Sequence, residues 1–158
     1  MDIEKIMTPN VAYVKSGDTL STAARAMWDF DCGAIPVVDP TSEEVVGIIT
    51  DRDICIACWS RDLPPSAIVT GDAMCSQVVT CLTSDSVSSV ENLMRAKQVR
   101  RIPVVDRHRR LVGIVSLGDI AIAAHRDSAL DTAPSRDVAA VLARISTPRD
   151  GAGARANA

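Results

Sequence analysis

The spacing of apolar residues in the first third of the chain predicts two helices and a pair of strands. After Asp18, the expected N-cap, apolar side chains recur at helical spacing in the order Leu20, Ala23, Ala24, Met27. The continuous apolar run 34–38 predicts a buried strand, and 45–49, beyond a turn, predicts its hairpin partner. Thr50 is expected to begin a second helix. Two short elements come first, a helical lead-in at 2–7 and a strand at 11–14.

The same pattern occurs a second time. Several features recur 67 residues further on: Met7, Val11, Asp18, Ser21, Met27 and the run 35–39. The run 46–54 recurs 66 residues further on, at 112–120. Because an internal repeat marks one structural unit per copy, we expect two copies packed about a pseudo-two-fold axis. Such a pair offers two equivalent clefts, and clefts between domains commonly bind ligands.

The predicted fold class is α/β, in the broader α+β sense, and each copy is expected to run helix-strand-helix-strand-strand-helix. The expected divisions are the first copy, a linker, the second copy and a C-terminal tail: 1–58, 59–69, 70–125 and 126–158. Pro64 and Pro65 favour a rigid linker. In the tail, 135–145 is expected to be helical and 149–158 disordered.

Composition narrows the function classes. The formal net charge is −3, and the aromatic residues comprise two Trp, one Tyr and one Phe. A nucleic-acid partner is not expected, because both a basic surface and a set of stacking rings are missing. No apolar run approaches the roughly 18 residues that span a bilayer, and the first residues lack the features of an export signal. We therefore expect a cytoplasmic protein with no membrane partner.

Five cysteines, an odd number, indicate reduced thiols. Four of them stand where small or apolar residues would serve, which favours packing in the core: Cys32, Cys55, Cys75 and Cys81. Cys55 and Cys58 also form a CxxC, for which a redox or metal role is the alternative. A reactive CxxC places its first cysteine at a helix N-terminus, whereas Cys55 is expected one turn inside a helix. The two histidines lack metal-ligand spacing, so we expect no metal.

A hydroxyl followed three residues later by a carboxylate occurs once in each copy, as Thr50 with Asp53 and Ser116 with Asp119. One interpretation is a helix capping box. The other is ligand binding, in which the carboxylate accepts hydrogen bonds from ribose hydroxyls and the helix start favours phosphate. Catalytic constellations such as a Ser/His/Asp set, a P-loop or HExxH do not occur, so we expect no enzyme activity.

The doubled motifs resemble those of CBS domains, a pair of which forms a Bateman module. The resemblance rests on four motifs and their second-copy equivalents: Met-Thr-Pro from Met7, Asp-Thr-Leu from Asp18, 33–39 and 47–54. It covers residues 1 to about 125. The layout is similar to that of small stand-alone bacterial two-CBS proteins, so no attached enzyme or channel domain is expected.

The resemblance implies binding of AMP, ADP or ATP, with NAD or S-adenosylmethionine as alternatives, and no other cofactor. Asp53 and Asp119 would hold ribose beside Thr50 and Ser116. Adenine would rest on apolar strand residues, and the full apolar candidate set is Val11, Ala12, Ile35, Pro36, Val78, Val79, Ile102 and Pro103.

The two clefts are not expected to be equal. Family members commonly reach a phosphate from the position of Arg100 and Arg101, whose first-copy counterparts, Gly33 and Ala34, carry no charge. Conversely, Arg52 has Gly118 as its counterpart. The alternative for Arg100 and Arg101 is a solvated strand end. The arginines at 107, 109 and 110 are expected to form a plain exposed turn.

These observations predict a nucleotide-sensing module that signals occupancy to a downstream protein whose identity the sequence leaves open. A homodimer is expected through the helices that carry Met27 and Met94 and those that follow Asp53 and Asp119. Two alternatives remain: a structural or dimerisation module with empty clefts, and a thiol-based sensor through Cys55 and Cys58.

Overall fold

The computed structural model describes residues 1–127 and 141–142. The strands and helices of this part, in chain order, are β1 (Thr8–Pro9), β2 (Val14–Lys15), α1 (Leu20–Asp29), β3 (Ala34–Val38), β4 (Val45–Thr50), α2 (Asp51–Arg61), β5 (Cys81–Leu82), α3 (Val87–Lys97), β6 (Arg101–Val105), β7 (Leu111–Ser116) and α4 (Leu117–Asp127). Short 3-10 turns lie at Ile3–Lys5, Pro65–Ala67 and Thr70–Asp72. The mixed α/β fold class and the repeated element order are confirmed.

The strands form two sheets. The first has the order β2-β3-β4, in which β2 is parallel to β3 and β3 is antiparallel to β4. Its hairpin register pairs Ala34 with Thr50, and an irregularity follows Val37. The second sheet has the order β1-β7-β6-β5, with β5 parallel to β6. Each copy therefore places its central strand, β3 or β6, between a short parallel strand and a hairpin partner.

The first long helix begins one residue later than the sequence predicted. Thr19, not Asp18, is the N-cap of α1, and its hydroxyl oxygen accepts a hydrogen bond from the Thr22 N–H at 3.4 Å. The Asp18 carboxylate instead accepts the Lys15 N–H at 2.8 Å and closes the preceding turn. Asp and Thr are both good N-caps. Thr19 takes this role because the Asp18 carboxylate is already bonded in the preceding turn.

The predicted strand at 11–14 is wrong in detail. Strand pairing occurs at β1 and again at β2, and Asn10 separates them with a left-handed backbone (φ 52°). Pro9 has no N–H to donate, which suits an edge strand such as β1. The helical lead-in is confirmed as a shorter 3-10 turn.

Part of the predicted linker is helical or packed. Helix α2 continues to Arg61 and ends at Asp62, which has a left-handed backbone (φ 52°) and donates its N–H to the Cys58 carbonyl. Ile68 is 2% exposed and belongs to the core of the first sheet. The Arg61 guanidinium donates to the Asp72 carbonyl at 2.8 Å. The segment is thus held against its neighbours at both ends.

The described chain divides into two compact units, and each has its own core. One comprises Pro9–Leu82 with Pro103–Gly113, and its main core holds Val14, Leu20, Ala23, Met27, Ile35, Val37, Ile49, Ile54, Ala57 and Ile68. The other comprises Met1–Thr8, Thr83–Ile102 and the described residues from 114 onward. Its fully buried side chains include Ile3, Met94, Ile102 and Ile120. The predicted burial of the strand valines is confirmed for Val37, Val38, Val104 and Val105.

Two motif residues, Gly47 and Met74, lie against each other. A Cβ at Gly47 would collide with the Met74 sulfur and would meet the Cys75 carbonyl at 3.1 Å. The Cys75 backbone pairs with Ile48, with N–O distances of 2.9 and 3.1 Å. Glycine is needed at position 47 because the chain before β5 runs directly against β4.

The predicted tail helix at 135–145 and disordered end lie outside the described residues, except that Val141 and Leu142 are helical and Val141 is buried. Within the described part, no helix has the length and apolar character needed to cross a membrane.

Each hairpin turn is organised by one aspartate. The N–H groups of Ser42 and Thr41, each at 2.8 Å, lower the pKa of Asp39 below its ordinary value of 3.8. Burial raises the pKa of Asp106, but the bonds from Arg110 and the His108 N–H outweigh it, so this pKa is also lowered.

We expect both hairpins to lose this support as the pH falls through the folded-state pKa values, because a carboxyl with a lowered pKa contributes its full stability above the unfolded-state pKa and loses it progressively down to the folded-state pKa. In an NMR titration of the side-chain carboxyl carbons, Asp39 and Asp106 should show midpoints below 3.8. Asp39→Asn should remove its share of the pH dependence. A midpoint at or above the ordinary value would contradict the proposed role of the turn N–H groups.

Candidate ligand-binding site

In each copy, a backbone hydrogen bond joins the start of the second helix to the residue before the central strand. The Asp51 N–H donates to the Gly33 carbonyl at 3.2 Å, and the Leu117 N–H donates to the Arg100 carbonyl at 2.9 Å. The structure therefore brings Gly33 and Ala34 beside Thr50 and Asp53. It brings the second-copy counterparts together in the same way.

The hydroxyl and carboxylate of each copy form a capping box. Asp53 Oδ2 accepts the Thr50 N–H at 3.0 Å and the Thr50 hydroxyl at 2.7 Å, and the Asp53 N–H donates to that hydroxyl oxygen at 3.2 Å. The equivalent distances for Ser116 and Asp119 are 2.7, 2.6 and 3.1 Å. The capping interpretation is thus correct for both copies. Because each hydroxyl donates its proton to the carboxylate, neither hydroxyl has a proton left for a phosphate.

The capping role uses only one oxygen of each carboxylate. Oδ1 of Asp53 and Oδ1 of Asp119 accept no hydrogen bond from any described residue, and both side chains are half-buried. An ionised carboxylate has lone pairs for several donors. Capping and ligand binding are therefore compatible: one oxygen holds the helix start and the other remains an acceptor.

The two helix starts differ in their free donors. In α2 the Asp51 carboxylate accepts the Arg52 N–H at 2.7 Å, and the N–H groups of Thr50, Asp51 and Asp53 also have acceptors. In α4 the residue equivalent to Asp51 is Leu117, whose side chain has no hydrogen-bond acceptor. The Gly118 N–H donates to no described residue. Asp51 was not among the predicted site residues, although the sequence shows that Leu117 replaces it in the second copy.

The three candidate arginines are exposed. Arg100, Arg101 and Arg52 form no ion pair with any described residue. By contrast, Arg109 lies 3.6 Å from Glu44 and Arg110 lies 2.9 Å from Asp106, within the hairpin turns. Arg100 and Arg101 thus carry charge that is available to a ligand at the start of β6.

The apolar candidates separate into two groups. Ile35 and Ile102 are fully buried, and Pro36 and Pro103 are buried too, so these side chains offer no surface to adenine. The half-buried candidates retain exposed area: Val11, Ala12, Val78 and Val79. Val78 packs against the small cluster of Val38, Val45 and Val105, close to the hairpins and not to the capping boxes.

The prediction that cysteines pack in the core is wrong for two of them. No disulfide joins any of the five cysteines; Cys81 is buried and Cys32 is half-buried, but Cys55 and Cys75 are exposed. Cys75 is held by its backbone pairing with Ile48, which leaves its side chain on the surface. Cys55 lies in the second turn of α2, as expected, and not at its N-terminus.

Comparison with known proteins identifies the repeat. The model of the CBS domain family matches residues 3–60 and again 69–126. Hypoxic response protein 1 of Mycobacterium tuberculosis is 36% identical over 116 residues, which are 73% of this chain and 80% of the relative.

Two solved structures are similar throughout their length. The crystal structure of hypoxic response protein I with two coordinated zinc ions has a TM-score of 0.70 and 34% identity, and the match covers 77% of this chain and 98% of that one. The CBS domain pair of protein MJ0100 in complex with 5′-methylthioadenosine and S-adenosyl-L-methionine has a TM-score of 0.70 and 25% identity, with 80% and 98% covered. Among the described residues here, no three His, Cys, Asp or Glu side chains are grouped so that they could hold a metal ion.

Proposed function

The chain belongs to the CBS domain family, and we propose that it is a regulatory module that binds adenosine nucleotides and signals their presence to a protein partner. The observation that carries the proposal is the half-buried carboxylate at the start of α2 and again of α4, each with one uncommitted oxygen. The similar CBS pair of MJ0100 in complex with two adenosine derivatives supports this ligand class. We propose no catalytic step.

Ribose suits the free oxygens of Asp53 and Asp119. Its two adjacent hydroxyls donate hydrogen bonds, and a carboxylate accepts such bonds more strongly than a neutral group does. The capping box holds each carboxylate in place before a ligand arrives, so little side-chain freedom is lost on binding. For the Asp53 site, adenine would then rest on a half-buried apolar candidate of the same unit, such as Val11.

Phosphate is better served by the second copy. Arg100 and Arg101 can grip phosphate oxygens in a forked geometry, and the uncommitted Gly118 N–H adds a donor at the same helix start. In the first copy, Asp51 has already accepted the Arg52 N–H and adds negative charge of its own. We therefore propose AMP, ADP or ATP for the second copy. For the first copy we propose a ligand with less negative charge near Gly33.

A homodimer is the second part of the proposal. Large apolar side chains are exposed on the first-copy helices and just beyond α1, with Trp28 at 84%, Trp59 at 83% and Phe30 at 64%. Large apolar side chains left exposed on packed helices are typical of interaction surfaces. In a sedimentation experiment, Trp28→Ala and Trp59→Ala should each weaken dimerisation by on the order of 2 kcal/mol if they are hot spots. Leu63→Ala, also an exposed apolar side chain, is the matched control and should leave the dimer intact.

Calorimetry on the intact chain with AMP, ATP, NAD, S-adenosylmethionine and adenosine tests the ligand class. We expect saturable binding of at least one nucleotide. If none binds while the dimer persists, the second candidate function, a dimerisation module with empty clefts, is supported by the exposed aromatic side chains alone.

Asp119→Ala should weaken nucleotide binding by about 1.5–3 kcal/mol for the charged hydrogen bond lost. It should also remove the carboxylate half of the α4 capping box while Ser116 stays, at a cost of up to about 1 kcal/mol in the free energy of unfolding. Ser86→Ala removes the N-cap of α3, so it should match the stability loss but retain affinity. Asp53→Ala tests the other cleft. If both aspartate variants bind as the wild type does, these carboxylates are caps only.

The double change Arg100→Ala and Arg101→Ala should reduce the difference in affinity between AMP and adenosine more than it weakens adenosine itself. The reason is that the lost charge contacts only the phosphate. Wild-type AMP affinity should fall as salt rises, because exposed charge pairs are screened. If the difference between AMP and adenosine is unchanged in the double variant, the phosphate is held elsewhere, for example by Arg52.

A further inference from the structure

A small pocket lies at the end of β3 that is remote from the first capping box. Its volume is about 160 Å³, and its lining includes the charged side chains of Lys15, Asp39, Glu43 and Arg110. β3 has five residues, which span roughly 16 Å at about 3.3 Å per residue. Because Thr50 pairs with Ala34 at the other end of this strand, the pocket is separate from the proposed nucleotide site. We call it the hairpin pocket.

The hairpin pocket is built where the turns of the two copies meet within one compact unit. The Val45 N–H donates to the Arg109 carbonyl at 3.2 Å, and Glu44 forms an antiparallel bridge with Arg110. Lys15 reaches the pocket from β2. A ligand in this pocket would therefore touch both copies of the repeat.

Opposite charges line the pocket without pairing. Lys15 and Glu43 are both exposed, and neither forms an ion pair with any described residue. The other two charged groups are held in place: Asp39 accepts the N–H groups of its turn, and Arg110 donates to Asp106 at 2.9 Å. With two positive and two negative side chains, the charged lining has no formal net charge.

We propose that the hairpin pocket binds a small zwitterion, an α-amino acid whose carboxylate contacts Lys15 and whose ammonium group contacts Glu43. A ligand that carries both charges gives each unpaired group a charge-assisted hydrogen bond. A purely anionic or cationic ligand would instead leave one of the two groups facing a like charge. This inference is independent of the proposed nucleotide binding.

The size and the apolar lining of the pocket restrict the amino acid. A volume of about 160 Å³ equals that of about five water molecules at roughly 30 Å³ each. This volume suits an amino acid with a small side chain and is too small for a nucleotide. Val38 and Leu111 also line the pocket and offer apolar contact to such a side chain.

An NMR titration of the intact chain, without nucleotide, tests the site. The probes are glycine, L-alanine, L-serine and L-valine, each used up to roughly 10 mM. A dissociation constant on the order of 1 mM is expected, because exposed charge pairs contribute little. At least one probe should produce saturable shifts at the amides of residues 13–15, 41–43 and 110–111. If none of the four does so, the proposal is overturned.

Derivatives of the amino acid that binds test the need for both charges. The α-carboxamide lacks the carboxylate, and the N-acetyl derivative lacks the ammonium group. Each should bind roughly fivefold or more weakly than the parent, because each loses one charged hydrogen bond. A derivative that binds as tightly as the parent would show that the ligand is not recognised as a zwitterion.

Lys15→Gln and Glu43→Gln remove the two unpaired charges one at a time. Each should raise the dissociation constant roughly fivefold, and the α-carboxamide should bind Lys15→Gln as it binds the wild type. The matched controls, Lys5→Gln and Glu4→Gln, remove the same charges from exposed positions outside the pocket and should change nothing.

An unchanged dissociation constant in either pocket variant overturns the proposal, because a zwitterion held at both ends must lose one contact. The capping boxes are intact in both variants. Nucleotide affinity is measured separately by calorimetry, so a negative result in the hairpin pocket leaves the proposed nucleotide binding standing, and the reverse also holds.

Discussion

One backbone hydrogen bond in each copy determines the geometry of the candidate site. The N–H of the first residue of α2 or α4 donates to the carbonyl of the residue that precedes β3 or β6. The first N–H groups of a helix have no partner within it, so this bond satisfies one of them and also anchors the helix start to the strand start. Asp31 and Gln98, both left-handed, turn the chain into those strands. Two short segments therefore meet in every copy, whatever their side chains are.

With the backbone held in common, the differences between the copies are differences of side-chain chemistry. The first copy presents Asp31, Gly33 and Asp51 where the second presents Gln98, Arg100 and Leu117. Asp51 accepts the Arg52 N–H and adds negative charge, whereas Leu117 leaves the Gly118 N–H uncommitted. The ligand charge proposed for each copy follows from these few positions.

Much of this arrangement could be predicted from sequence, and the failures have physical causes. β3 has the predicted bounds and Thr50 is the predicted cap, because a buried apolar run and a capping box are both local signals. The N-cap of α1 was predicted one residue too early, because the Asp18 carboxylate accepts the Lys15 N–H in the preceding turn and apolar spacing does not reveal that contact. The two-residue strands depend on distant partners. Exposure of Cys55 depends on which face of α2 meets the core, and apolar Ile56 and Trp59 are exposed as well, so periodicity could not identify that face.

The first turn of α2 carries two carboxylates with different surroundings. Asp53 holds the capping box, and its free oxygen is the proposed ribose acceptor, while Asp51, two residues earlier, lines a groove between α1 and α2. Residues two apart on a helix do not share a face, so the same turn presents one carboxylate to the proposed ligand and the other to the groove. The helix start does not have to be given up for a ligand to bind, because capping uses Oδ2 of Asp53 and the proposed ribose contact uses Oδ1.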